Sequence, residues 1–299
     1  MKILCVGHAA YDITIPVDGF IEENTKNRVN ERVECGGGPA SNAAYLLGKW
    51  GCDVTFMGVV GNDEYGRYIK KELDSVHVNT EYLELSSEYK TTSSFIIANR
   101  QNGSRTILTY RPEEMKMKEI DLSFEPNVIL IDGQEYNISK QLLKKYPRAI
   151  SIIDAGRATD QIIELAKTVR YLVCSKDFAE KVTGIKIDFN YIESLNMLYQ
   201  KMKNIFSNEI IITLEDKGAL YEYNHQLKLL SGIKQKAVDT TGAGDIFHGA
   251  FTYGIANQWE FEKTIRLANV TAGLSVTKIG GRLSVFDLND IKEMYHEFK

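Results

Sequence analysis

Short apolar runs rich in Val and Ile recur along the chain, alternating with longer stretches in which apolar residues return every three or four positions. The runs at 2–7, 54–60, 128–132, 150–154, 171–174 and 210–214 lack a regular polar alternation, which predicts strands buried on both faces. Between them, 40–50, 64–73, 139–145, 160–169 and 191–206 carry the spacing of amphipathic helices. Alternation of this kind is the signature of βαβ units. It predicts an α/β fold of three layers, α/β/α, around a mainly parallel central sheet.

Two places break the rule. Residues 91–98 and 104–110 are β-type runs joined by a loop containing Asn102-Gly103, which predicts an antiparallel hairpin. Residues 12–17 and 28–35 form a second extended pair around a polar loop. Together they predict a small sheet projecting from the main one, suited to act as a lid. With no internal repeat and no low-complexity linker, one domain over 1–299 is expected, its β lid formed by about 12–35 and 90–111.

A further helix is marked by Phe247, Phe251 and Ile255, four residues apart, with Ala250 and Gly254 on the same face. Asp239-Thr240-Thr241-Gly242-Ala243-Gly244-Asp245 leads into it. The amides of Gly242, Ala243 and Gly244 would be free donors at the positive end of a helix dipole, a ready anion site. Asp245, in the first turn, would take a proton from a hydroxyl beside that anion, or aim it. Phosphoryl transfer from a nucleotide to an alcohol needs these parts. The same seven residues also fit ordinary helix capping.

A second glycine-rich helix entry is Gly36-Gly37-Gly38-Pro39-Ala40-Ser41-Asn42, with Pro39 near the first helical position. Glycines let a backbone approach a ligand closely. Asn42 offers both a donor and an acceptor, which suits sugar hydroxyls better than phosphate. Asp12 follows the first strand, at the carboxyl edge where α/β sheets bind ligands, and an ionised Asp can bridge two hydroxyls of a polyol. A packing turn with a capping Asn and a solvated loop Asp are the plain alternatives.

Composition narrows the field. A chain of 299 residues with 43% apolar and 25% charged residues is typical of a soluble globular protein. A net charge of −4 leaves no basic footprint, so nucleic acid is not the expected partner. No run reaches the length of a membrane span, and the first residues read as a buried strand rather than a signal peptide. Cys5, Cys35, Cys52 and Cys174 are far apart and show no metal spacing, as expected of thiols in a reducing cytoplasm. His248 is the histidine nearest the Gly-Ala-Gly-Asp turn, and a place on the helix surface suits it as well as a functional one.

In this order the pieces resemble the ribokinase, or PfkB, family of ATP-dependent carbohydrate kinases. The resemblance rests on residues 37–44, with Gly51 and Gly61 beyond them, and on 239–245 with Phe247 and Gly249. Residues 60–66, 179–184 and 277–281 extend it nearly end to end. It implies a ribokinase-like fold, Asp245 as catalytic base, and Gly242, Ala243 and Gly244 as the anion hole. It implies sugar-hydroxyl contacts from Asp12, Gly37, Gly38 and Asn42. The nucleotide loop falls at 213–218, giving Thr213, Lys217 and Gly218 to ATP, with Ser175 and Asn269 near the same cofactor. Asp239 and Thr241 fall where many members hold a monovalent cation such as K+. Mg2+ would ride mainly on the nucleotide phosphates and water. In many members of this family the lid edges pair, so the resemblance also points to a homodimer through the lid.

Three departures stand out. Glu215 replaces the first glycine of the usual Thr-x-Gly-x-x-Gly loop. Ser175-Lys176-Asp177-Phe178 replaces Asn-x-x-Glu, so a Glu role in placing metal is lost or moved to Asp177. That stretch and Ser104-Arg105-Thr106-Ile107 are similar to ketohexokinases. Gln134 stands where ribokinases put a carboxylate on the sugar. The expected acceptor is a ketose such as fructose, or a ribose-like sugar. A nucleoside kinase of the same family and a non-catalytic sugar-binding regulator are the competing readings. A dinucleotide oxidoreductase is disfavoured, since Gly-x-Gly-x-x-Gly is missing after the first strand.

Overall fold

Only a strand with neighbours on both edges and helices on both faces can bury every side chain, and the uninterrupted apolar runs do so here. The computed structural model describes residues 1–298. The chain begins β1 (Lys2–Val6), β2 (Ala10–Val17), β3 (Val33–Gly37), α1 (Pro39–Lys49), β4 (Asp53–Gly61) and α2 (Glu64–Ser75). It continues β5 (Leu83–Ser86), β6 (Ser93–Asn99), β7 (Arg105–Tyr110), β8 (Val128–Ile131), α3 (Tyr136–Lys145), β9 (Ile150–Ala155) and α4 (Asp160–Ala166). Then come β10 (Tyr171–Ser175), α5 (Lys176–Thr183), α6 (Glu193–Ile205), β11 (Glu209–Thr213), β12 (Ala219–Tyr223) and β13 (Gln226–Leu230). Three helices close it: α7 (Ala243–Ala256), α8 (Phe261–Ser275) and α9 (Leu288–Met294).

The large sheet runs β13-β12-β11-β10-β9-β8-β1-β4-β5. Every pairing from β11 to β5 is parallel. β12 and β13 extend one edge antiparallel. Alternate residues of the strands feed opposite layers. Ile3 and Cys5 pack with α1, α7 and α8 through Leu46, Phe251 and Leu267, all buried. Leu4 and Val6 face the layer that holds Leu165, Phe178 and Leu198 of α4, α5 and α6. The fold is therefore the expected three-layer α/β/α, with ends of elements shifted: the helix expected at 160–169 stops at Ala166.

The four segments read as two extended pairs join into one small sheet, β3-β2-β6-β7. The outer pairings are antiparallel and the central one, β2 with β6, is parallel. Asp12 follows the first strand, as expected, and lies inside β2, paired with Ser94 across the small sheet and buried rather than solvated.

Candidate active site

Residues 239–245 approach α7 over a rigid turn. Both carboxylate oxygens of buried Asp239 accept backbone hydrogen bonds, from Thr241 and from Gly280, each at 2.9 Å. Gly242 caps the helix at φ 75°, and a Cβ there would sit 2.9 Å from Gly281 Cα. The Ala243 N–H donates to the Thr240 carbonyl at 3.3 Å. The expectation of three free amides thus narrows to Gly242 and Gly244, whose N–H groups have no partner among the described residues. Asp245 follows in the first turn, half-buried.

The second glycine motif meets it. Asn42, buried in α1, donates from Nδ2 to Asp245 Oδ2 at 2.7 Å, although 203 residues separate the two. Gly37 lies against Asp12, and a Cβ on it would overlap the Asp12 carboxylate. Asp12 is 6% exposed, and its carboxyl is pushed up to about 6. Burial is the main cause; the Ser94 hydroxyl bond and the Arg282 charge oppose it, while Asp245 and Asp239 add to it. Gly38, at φ 93°, caps α1.

Gln134 stands just beyond β8. Its amide N–H donates to Asp132 Oδ1 at 2.9 Å, and its side-chain carbonyl accepts from Arg111 at 3.1 Å. Asp132 Oδ2 also accepts from His8 N and Ala40 N, so one buried carboxylate ties β1, α1 and β8 together. Arg111 faces His8 Nδ1 at 2.8 Å. A guanidinium only donates, so His8 Nδ1 accepts and the ring proton sits on Nε2. Burial, then the charges of Arg111 and Arg157, lower His8 to about 3.

The residues expected to meet the nucleotide are dispersed, at the ends of β10 and β11 and in the middle of α8. Ser175 caps α5, accepting from Phe178 N at 3.0 Å. Phe178 is fully buried against Phe206, so it is a core residue, while Asp177 is exposed on the first turn. Thr213 donates to the Cys174 carbonyl at 3.3 Å, and Asn269 donates to the Ser231 carbonyl at 2.9 Å. Gly218 is held at φ 99° in a turn. Glu215 pairs with Lys176 at 3.5 Å, and Lys217 pairs with Asp216 at 2.7 Å. The two acidic side chains of the loop thus have a cation each.

The small sheet reaches this motif. Arg105 Nη1 donates to Thr240 Oγ1 at 2.5 Å, and Thr240 Oγ1 donates to the Gly103 carbonyl at 3.0 Å. Three more polar residues gather near the site: Asp154 and Arg282, which the sequence did not single out, and His248, for which a helix-surface and a functional place were both open. His248 is buried, with Nδ1 2.6 Å from the Gly244 carbonyl and 3.2 Å from Asp154 Oδ2. Burial pushes the Asp154 carboxyl up, with His248 opposing. Arg282 is also buried, bonding Ser41, Asn42 and Glu72. Around His248, Ile246, Phe247, Gly249, Ala250 and Phe251 are all buried, so the helix is covered on every side there. No local signal marks Arg282.

A helix terminus with two free amides, a carboxylate in its first turn and buried polar groups beside it are the parts that phosphoryl transfer to an alcohol needs. The description "pfkB family carbohydrate kinase" matches residues 1–287. A ribokinase of Lactococcus lactis is 35% identical over 282 residues, 88% of this chain and 86% of its own length. A ketohexokinase of Mus musculus is 24% identical over 287 residues, 91% of this chain and 95% of its own. An Arabidopsis thaliana ribokinase structure, complexed with ribose and ATP, superimposes with a TM-score of 0.81. It covers 98% of this chain and 97% of its own at 22% identity. The chain belongs to the pfkB family of carbohydrate kinases. No described helix is long and apolar enough to cross a membrane.

Proposed function

We propose that the protein transfers the γ-phosphoryl group of ATP to a hydroxyl of a free sugar, a ketose such as fructose or a ribose-like sugar. The observation that carries this is the 2.7 Å bond from Asn42 to Asp245, which joins the sugar-side motif to the phosphoryl-side motif. Asp12 and Asn42 hold acceptor hydroxyls, with the Gly37 and Gly38 backbone alongside. Asp245 receives the proton of the attacking hydroxyl. The amides of Gly242 and Gly244 face the charge that builds on the transferring group, with Ala243 shaping the turn. With a loose transition state the proton leaves late, so orientation by Asp245 matters more than basicity.

Ser175, Thr213, Lys217, Gly218 and Asn269 are read as the nucleotide side, and Gln134 as a sugar contact. Among the described residues no three His, Cys, Asp or Glu side chains gather as a metal cage. Mg2+ would be held mainly by the nucleotide phosphates and water, where it neutralises their charge. Asp239 and Thr241 suit a monovalent cation such as K+, since Thr241 Oγ1 is buried without a hydrogen-bond partner among the described residues. Such an ion would stiffen the turn before α7. Residues 12–35 and 90–111 serve as the lid of a single domain, and its outer face supports pairing into a homodimer. A cytoplasmic location is supported by four unpaired cysteines.

The test is ADP release across ketoses, aldoses, sugar phosphates and nucleosides, with and without K+. A free sugar is expected to give the highest kcat/KM, and Asp245→Asn to lower kcat by roughly 10²–10⁴ with sugar binding retained. Preference for nucleosides, or normal turnover by the variant, defeats the reading.

A further inference from the structure

Arg282 is the largest of the fully buried side chains, and a buried guanidinium needs partners for its donors. It has three. Nη2 donates to Ser41 Oγ at 2.5 Å, Nη1 to Glu72 Oε2 at 2.8 Å, and Nε to Asn42 Oδ1 at 3.4 Å. Glu72 Oε2 also accepts from Gly36 N at 2.7 Å, which fixes the counter-charge to the glycine motif. Gly36 has no Cβ, and one there would overlap the guanidinium. The Tyr45 ring lies 5.2 Å from Arg282 Cζ. The side chain is clamped from four sides.

Asn42 sits between this guanidinium and the Asp245 carboxylate. A guanidinium only donates and an ionised carboxylate only accepts, so one amide orientation satisfies both. The Asn42 carbonyl must face Arg282, and its NH2 must face Asp245. The reverse would set a carbonyl oxygen against a carboxylate and an NH2 against a guanidinium. We propose that Arg282 is a positioning residue that fixes the polarity of the Asn42 amide, making Asn42 a pure donor toward the acceptor hydroxyl. The proposal rests on the kinase reading above.

The chemical consequence is direction. One Nδ2 proton is taken by Asp245, and the second remains for substrate. A hydroxyl accepting it keeps its own proton free to point at Asp245 or Asp12, which only accept when ionised. With the amide reversed, the hydroxyl would donate to Asn42 and aim its proton away from the base. Asn42, expected from sequence to offer both a donor and an acceptor, uses both here, with its acceptor turned to Arg282 and its donors to Asp245 and the substrate.

The test is a double-mutant cycle on kcat with Arg282→Lys, Asn42→Ala and the pair, using the best acceptor of the wild type. Lys keeps the charge but lacks the Nε donor that reaches Asn42. Arg282→Lys is expected to lower kcat about ten- to a hundredfold with KM for the nucleotide unchanged. Added to Asn42→Ala, it should cost less than about threefold more. Effects that multiply in full mean that Arg282 acts only on the general structure, which overturns the proposal. A spectroscopic arm needs no turnover and no variant at Arg282. In protein labelled with 15N-asparagine, Asp245→Ala should speed exchange of the Asn42 NH2 at least about tenfold, since it removes that group's partner. Unchanged exchange shows the NH2 facing elsewhere and defeats the idea. A wild type that phosphorylates no sugar, sugar phosphate or nucleoside overturns the kinase reading itself, whereas an active wild type with a multiplicative cycle overturns this proposal alone.

Discussion

Burial inside β2 raises the Asp12 carboxyl to about 6, because water that would solvate its charge is excluded and Asp245 lies near. The folded state therefore keeps the proton where an unfolded chain has released it. Ionising Asp12 between about pH 4 and 6 costs stability rather than adding it. In the sugar-binding role proposed for Asp12 the sign for function is opposite, since the ionised carboxylate would accept from two hydroxyls and a neutral one would give up part of that. We expect kcat/KM for the sugar to fall as pH drops through about 6, approaching tenfold per unit. Asp12→Asn should lower kcat/KM at neutral pH and abolish that limb. A pH series of kcat/KM from about 5 to 8 decides it, and an identical limb in the variant rules Asp12 out. At this scale the sequence was most uneven. Asp245 and Asn42 were legible because each stands in a glycine-rich helix entry whose geometry has few uses. Arg282 and His248 were not, because a charged residue destined for burial looks locally like a surface one. Only packing from distant elements reveals it: α2 reaches Arg282, and β9 reaches His248.

The strands and helices of the large sheet were legible for the converse reason. A parallel strand covered on both faces must be apolar where it is covered, and β8 is throughout, as are β1 and β10 apart from the terminal Lys2 and Ser175. The small sheet was half legible. Both extended pairs follow local turn chemistry, but the parallel union of β2 with β6 links segments about eighty residues apart in the chain, which no local pattern encodes. That union carries a function. It sends the β6–β7 turn onto the loop before α7, where Gly103 would collide with Ala237 if it bore a Cβ and Arg105 bonds Thr240. The sheet tip thus bears on the same loop that leads into the Gly242 turn and Asp245. Arg105→Ala should loosen that contact, lowering kcat about tenfold and raising the share of ATP hydrolysed without sugar phosphorylation. Parallel assays of ADP and sugar phosphate report both. Unchanged coupling would mean that the contact has no part in excluding water.

For the molecule as a whole, the small sheet leaves one problem that the large sheet does not have. β7 is an edge strand whose six residues are all exposed. Register pairs Phe95 with Leu108 and Ser93 with Tyr110, which puts the three large side chains on one face. Phe95 is 47% exposed, Leu108 62% and Tyr110 57%. An unpaired edge beside an apolar face invites association, and proteins that remain soluble usually cover such a face with a specific partner. The other face of the sheet is occupied by the site, through Asp12 and the Arg105 contact, so association falls to the outer face. A second copy of the chain can bury both apolar faces at once around a two-fold axis. We therefore expect sedimentation at about twice the monomer mass of 33.8 kDa. Leu108→Glu should shift the protein to monomer by placing a charge at the centre of the patch, while Met294→Glu, at an exposed position on α9, should leave the dimer intact. Coupling to catalysis follows from the geometry. If the dimer holds the small sheet over the site, the monomeric Leu108→Glu variant should show the same rise in sugar-independent hydrolysis as Arg105→Ala. A monomeric wild type at about 10 μM, or a Leu108→Glu dimer, would remove this face as the partner surface.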